Sequence, residues 1–146
     1  MSKLDEGLTL RLARAEEHDE LEDLQRRASL EVPEYREQLE EHPDAIYLPQ
    51  GQIANGQVIV AEADGEIVGF AAVVGGELDG LFVEPDLWGF GVGRKLVDAA
   101  TNEARRRGLA LKVIASPRGR RFYEHCGFTV EGEAQTRFGP ALRMTK

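Results

Sequence analysis

The stretch LFVEPDLWGFGVGRKL, residues 81–96, changes pattern twice within sixteen residues. Its apolar opening, Leu81-Phe82-Val83, stops at Pro85. A turn carrying Gly89, Gly91 and Gly93 follows, and a helical pattern opens directly behind it with Arg94 in its first turn. A strand that runs through a glycine turn into a helix N-terminus leaves backbone N–H groups pointing outward, and such groups hold anions. Glycine lets that backbone approach phosphate oxygens without a Cβ in the way. The stretch therefore implies a phosphorylated ligand bound by a chain of mixed α/β type.

Working outward, the helix after the turn runs from about Gly91 to Arg107, with Val92, Leu96, Val97, Ala100 and Ala104 on its inward face and Gly108 as its stop. Leu109–Ala115 reads as a strand. Ser116-Pro117 is an N-cap followed by a first-turn proline, so a short helix should reach His125 and end at Gly127. Phe128–Glu131 and Leu142–Thr145 are the last candidate strands, with a turn at Gly139-Pro140. Upstream, Glu77–Val83 is a strand. Val58–Ala63 and Ile67–Val74 form a hairpin through Asp64-Gly65. Thr9–Ala13 alternates as a strand. Ala15–Leu30 and Pro33–Glu41 read as acidic helices with Leu21, Leu24, Ala28, Tyr35 and Leu39 turned inward. The order β-α-α-β-β-β-α-β-α-β-β predicts a mixed α/β chain with a central meander and a crossover behind the glycine turn.

The chain has 146 residues, 42% hydrophobic and 30% charged, which suits one domain, residues 1–146, with a real core. A formal net charge of -8 argues against nucleic acid as a partner. No apolar run is long enough to span a membrane. The opening MSKLDEGLTLRLARAEE shows no apolar signal core, and a lone Cys126 forms no internal disulfide. A cytoplasmic protein is the expectation.

Two common phosphate loops fail on spacing. A Walker A loop needs Gly, four residues, then Gly-Lys-Ser/Thr, whereas Gly89 to Gly93 is one residue too short and Arg94-Lys95-Leu96 lacks the hydroxyl. A dinucleotide fingerprint needs a third glycine where Arg94 stands, and normally opens a βαβ unit. WGFGVGRKLV instead resembles the acetyl-coenzyme A (acetyl-CoA) loop of the GCN5-related N-acetyltransferase (GNAT) family, Gln/Arg-x-x-Gly-x-Gly/Ala. Gly91 and Gly93 match, and Trp88 stands at the usual Gln/Arg position. FYEHCGF, residues 122–128, is similar to the family's Phe-Tyr-x-x-x-Gly-Phe segment. ELDGLFVEP, residues 77–85, is similar to the strand before the loop.

The resemblance implies a single-domain α/β acyl-CoA N-acyltransferase fold with a mixed, mostly antiparallel sheet flanked by helices. It implies acetyl transfer from acetyl-CoA to a primary amine by direct attack on the thioester. The same fold can also serve as a non-catalytic acyl-CoA sensor. By position, the amides of Gly89, Phe90, Gly91, Val92, Gly93 and Arg94 should take the pyrophosphate. The backbone of Leu81, Phe82 and Val83 should pair with pantetheine, and one of its N–H groups should polarise the carbonyl. The Arg94 side chain either binds phosphate or sits in solvent. Tyr123 should help the thiolate leave. Ser116 is a coenzyme contact, a plain N-cap, or both.

Glu77 is the candidate base, acting directly or through water. Asp79, two residues on, is the candidate amine contact unless a β-bulge re-aims it. No metal is implied, since the histidine spacings give no ligand set. His18 and His42 read as surface residues, and His125 has no assigned role. Cys126 reads as a small buried residue. The first two helices wall the acceptor site in this family, so their acidity favours a cationic acceptor. Arg137, in the last hairpin, is a candidate for an acceptor carboxylate. The acceptor is a small-molecule or peptide amine, with no membrane partner, and a homodimer is expected only from family habit.

Overall fold

Alternation of apolar and polar residues lays down the strands, and glycine turns connect them. The computed structural model describes residues 7–146, so the first six residues of the opening read for a signal core lie outside it. Strands β1 (Leu8–Leu12), β2 (Val58–Ala63), β3 (Glu66–Val74) and β4 (Glu77–Val83) form an antiparallel meander. The β2–β3 turn has Asp64 and Gly65 at φ 52 and 79, the left-handed pair that a two-residue hairpin needs. Strand β5 (Lys112–Ala115) is parallel to β4, and β6 (Thr129–Thr136) and β7 (Gly139–Thr145) close a seven-stranded sheet in the order β1-β2-β3-β4-β5-β7-β6. The chain passes from β5 to the far edge and returns as β7 between β5 and β6. Those two strands are longer than their sequence predicts, because mutual pairing carries their polar outer ends.

Helices α1 (His18–Leu30), α2 (Pro33–Glu41) and α3 (Gln50–Ala54) come before the meander's second strand, α4 (Val92–Arg106) follows the glycine turn, and α5 (Arg120–His125) follows β5. A two-sided core results. On one face Leu21 and Leu24 of α1 pack with Val58, Val60, Phe70 and Ala72. On the other, Leu96, Val97 and Ala100 of α4 pack with Ala71, Val113, Phe128 and Met144. Cys126 is buried there and burial raises its thiol pKa, as suits an inert packing residue. Helix α3, with Ile53 buried, escapes sequence reading because five residues are too few for a helical period.

Two irregularities open the sheet. Ala72 faces Gly80 while Val73 faces Leu78, so Asp79 is an extra, unpaired residue and β4 bends there. Parallel pairing of β4 with β5 covers only Glu77–Lys112 and Leu78–Val113. Beyond that point the two strands separate.

Candidate active site

The separated edge of β4 supplies the first part of the site. Glu84 N–H donates to the Val68 carbonyl at 2.9 Å. Bonded pairs alternate along an antiparallel ladder, so the next such pair is Phe70–Phe82. Phe82 therefore spends its backbone on β3, which corrects its expected pairing with pantetheine. Leu81 and Val83 turn their N–H and C=O groups into the gap. The Trp88 indole donates to the Val83 carbonyl at 2.9 Å. This leaves the Leu81 amide and carbonyl and the Val83 amide as an open strand edge.

The glycine turn supplies the second part. Gly91 caps α4 at φ 89, and nothing lies within 4 Å of the point where a Cβ would stand, so backbone conformation rather than space demands glycine. The first bond back into the turn runs from Lys95 N–H to the Gly91 carbonyl at 3.1 Å, leaving the amides of Val92, Gly93 and Arg94 at the helix mouth. The Phe90 amide is not among the donors, because it bonds the Leu87 carbonyl at 3.3 Å. The Phe90 side chain is 61% exposed and is not part of the cleft lining. The Arg94 side chain is exposed, borders the cleft and has no ion pair among the described residues.

Both parts line one cleft of about 800 Å³ that passes through the β4–β5 split. Of the residues singled out from sequence, Leu81, Phe82, Val83, Gly89, Gly91, Val92, Gly93, Arg94, Ser116 and Tyr123 border it. Ser116 Oγ accepts from the Gly119 amide at 3.3 Å, so it is an N-cap whose hydroxyl proton is still free to donate into the cleft. Tyr123 packs edge-on between Phe122 and Phe128, with ring centroids 5.1 and 5.3 Å away. Burial pushes its phenol pKa up to about 12, so it stays a neutral donor at any working pH.

Glu77 and Asp79 do not border the cleft. Glu77 sits where β4 is still paired with β5, at the closed end of the split. Asp79, carried on the bulge, accepts from Gln52 Nε2 at 2.9 Å. Neither carboxylate lines the cleft, so of the two routes expected for Glu77 only the one through water fits this placement, and Asp79 is engaged by Gln52 instead of an amine. The acidic wall is corrected too. Helices α1 and α2 face the cleft with Gln25, Ala28, Ser29, Tyr35 and Leu39. Their acids are not part of that lining, and Glu34 is paired at 3.0 Å with Arg118, which borders the cleft. Arg137 is spent on Asp44 at 3.2 Å rather than aimed inward.

His18 is not a loose surface residue either. Its Nε2 lies 2.7 Å from the Leu48 carbonyl and its Nδ1 2.9 Å from Asp19, contacts that raise its pKa, the Asp19 hydrogen bond most. Glu22 accepts from the Leu48 amide at 3.0 Å, so α1 grips that segment twice, just beyond Ile46 on the cleft wall. Sequence reading also missed the Trp88 tether and Phe138. The phenylalanine before Gly139-Pro140 was the available signal, because a large apolar side chain at a turn tip needs a surface to cover. Among the described residues, no group of three or more His, Cys, Asp or Glu is placed to hold a metal.

A splayed parallel pair beside a bare helix N-terminus is the arrangement that the resemblance to the GNAT family implies, and the comparisons with known proteins agree on that family. A family model described as "Acetyltransferase (GNAT) domain" matches residues 54–130. The chain belongs to the GNAT acetyltransferase family. Peptidyl-lysine N-acetyltransferase YjaB of Salmonella typhimurium is 35% identical over 102 residues, covering 69% of this chain. That match spans 66% of the relative, just under two thirds of its length. The crystal structure of a GCN5-related N-acetyltransferase from Rhodopseudomonas palustris superposes with a TM-score of 0.81 at 28% identity, covering 96% of this chain and 95% of that one. The PaiA N-acetyltransferase of Thermoplasma acidophilum, solved in complex with coenzyme A, shares the fold with a TM-score of 0.74 at 20% identity, over 100% and 99% of the two chains.

Proposed function

We propose that residues 1–146 form one N-acetyltransferase domain that moves acetyl from acetyl-CoA to a primary amine in the cytoplasm. The observation that carries this is the convergence of two unspent sets of backbone groups on one cleft: the amides of Val92, Gly93 and Arg94, and the open edge at Leu81 and Val83. The first set suits a pyrophosphate on a helix N-terminus. The second suits an extended amide-bearing arm that adds to a strand edge.

Bound acetyl-CoA supplies a thioester whose C–S bond breaks as the amine nitrogen forms a C–N bond, the amine's proton ending on the sulfur. The chain's own groups serve that exchange. A backbone N–H at Leu81 or Val83 polarises the carbonyl. Tyr123 acts as a hydrogen-bond donor to the thiolate rather than as its acid. A phenol pushed to about 12 is a far weaker acid than a thiol near 8.5, so full transfer would run uphill. With Glu77 and Asp79 outside the cleft, the proton passes directly or through water. Peptidyl-lysine, the acceptor in the relative's name, is one acceptor class this reading admits.

The test is thiol release from acetyl-CoA across a panel of amines, with the acetylated product identified by mass spectrometry. Amine-dependent release carrying a stoichiometric acetyl-amine product is the expected result. Binding of acetyl-CoA with no turnover on any amine would instead identify an acyl-CoA sensor.

A further inference from the structure

The cleft beyond the split is walled almost without charge. Val32, Tyr35 and Leu39 line it from one side with Ile46, and Phe138 and Pro140 line it from the β6–β7 tip. Four carboxylates of the surrounding elements are already engaged within the protein. Glu34 is on Arg118 at 3.0 Å, Asp44 on Arg137 at 3.2 Å, Glu84 on Arg27 at 2.7 Å, and Glu22 on the Leu48 amide at 3.0 Å. Among the described residues bordering the cleft there is no Asp, Glu or His, and its two charged members, Arg94 and Arg118, are both cations.

Two consequences follow from charge. A polycation entering here would shed water and meet no carboxylate in return. An ammonium group would also find no side-chain base. A lysine-like amine, with a pKa of roughly 10.4, is almost wholly protonated at neutral pH. The apolar walls, by contrast, reward a hydrophobic body. The Arg137 guanidinium lies 5.5 Å from the Phe138 ring centroid, which holds that ring in place at the tip.

We infer that the acceptor is a small monoamine on an aromatic or branched apolar body, taken up as the free base, and that Phe138 selects for it. The inference deepens the acetyl-transfer reading above and rests on it.

The experiment measures kcat/KM with acetyl-CoA for 2-phenylethylamine, spermidine and a lysine-containing peptide. It uses the wild-type protein and the variants Phe138→Glu and Phe138→Leu. The aromatic amine should exceed both others by roughly 100-fold, about what burying one phenyl group supplies. Its kcat/KM should climb with pH up to the amine's own pKa. Phe138→Glu should shrink the aromatic-to-spermidine ratio by about tenfold or more, while Phe138→Leu keeps most of it. The wild-type ranking needs no variant, so a misfolded mutant does not blunt the test. Spermidine or the peptide matching the aromatic amine would overturn the inference, as would a fixed inflection near neutral pH shared by all amines. Acetyl-CoA binding without turnover on any amine would overturn the acetyl-transfer reading itself, and this inference with it.

Discussion

At its α4 end the cleft is lined by main chain: the helix-mouth amides of Val92, Gly93 and Arg94, and the free edge of β4. At the opposite end, under α1, α2 and the β6–β7 tip, it is lined by side chains. The difference sets what substitution can do at each end. Main-chain donors survive almost any change that preserves the path of the backbone, which is why Trp88 can stand where relatives of this family carry Gln or Arg. Instead of reaching for a ligand, its indole ties the loop to the Val83 carbonyl at 2.9 Å. The side-chain end has no such protection, and one residue can change what fits.

The largest effect that would break this contrast should come from Gly91→Glu. A carboxylate placed among the helix-mouth amides, on a residue held at φ 89, should weaken acetyl-CoA binding by about 100-fold or more in calorimetry, the scale of losing charge-assisted hydrogen bonds. Gly91→Ala isolates the conformational part, about 1–2 kcal/mol of stability in a denaturant titration. Unchanged affinity in Gly91→Glu would mean the main chain is not the anchor.

Tyr123→Phe comes next. It keeps the ring packed against Phe122 and Phe128 but removes the donor, so kcat should fall roughly 10- to 100-fold with acetyl-CoA affinity unchanged. In an absorbance titration the variant should also lack a tyrosinate step near pH 12. A smaller effect is expected from Trp88→Phe, which loses one hydrogen bond, about 1 kcal/mol of stability, and a few-fold in acetyl-CoA affinity.

Smallest is the pH response of the acceptor-side wall. The folded state raises the His18 pKa above 6.5, so the protonated ring contributes its full stabilisation below that value. The contribution is lost as pH rises through the higher folded-state pKa. Urea unfolding from about pH 5.5 to about pH 8.5 should show a decline that His18→Gln flattens. A slope identical in the two proteins would remove His18 from the account.

The same contrast explains how much was legible in sequence. Glycines and a first-turn cation mark a helix mouth because only certain backbones can form one, and Gly91 leaves that mark in the sequence. Which β4 amides stay free is not written there. It depends on the pairing of Phe70 with Phe82 and on the bulge at Asp79, both products of register. The acidic run in α2 misled for a related reason. Charge content is visible in sequence, but which face of α2 meets the cleft is not, and neither is the pairing of Glu34 with Arg118 from a distant segment. The short α3 and the long β6–β7 hairpin were hidden because tertiary pairing, not local periodicity, holds them.

The most direct test of main-chain anchoring is a proton–nitrogen correlation titration with coenzyme A, following each assigned amide. The amides of Leu81, Val83, Val92, Gly93 and Arg94 should shift most, with those of Phe82 and Phe90, already bonded within the protein, shifting far less. Shifts confined to α2 and the β6–β7 tip, with the α4 mouth silent, would contradict it.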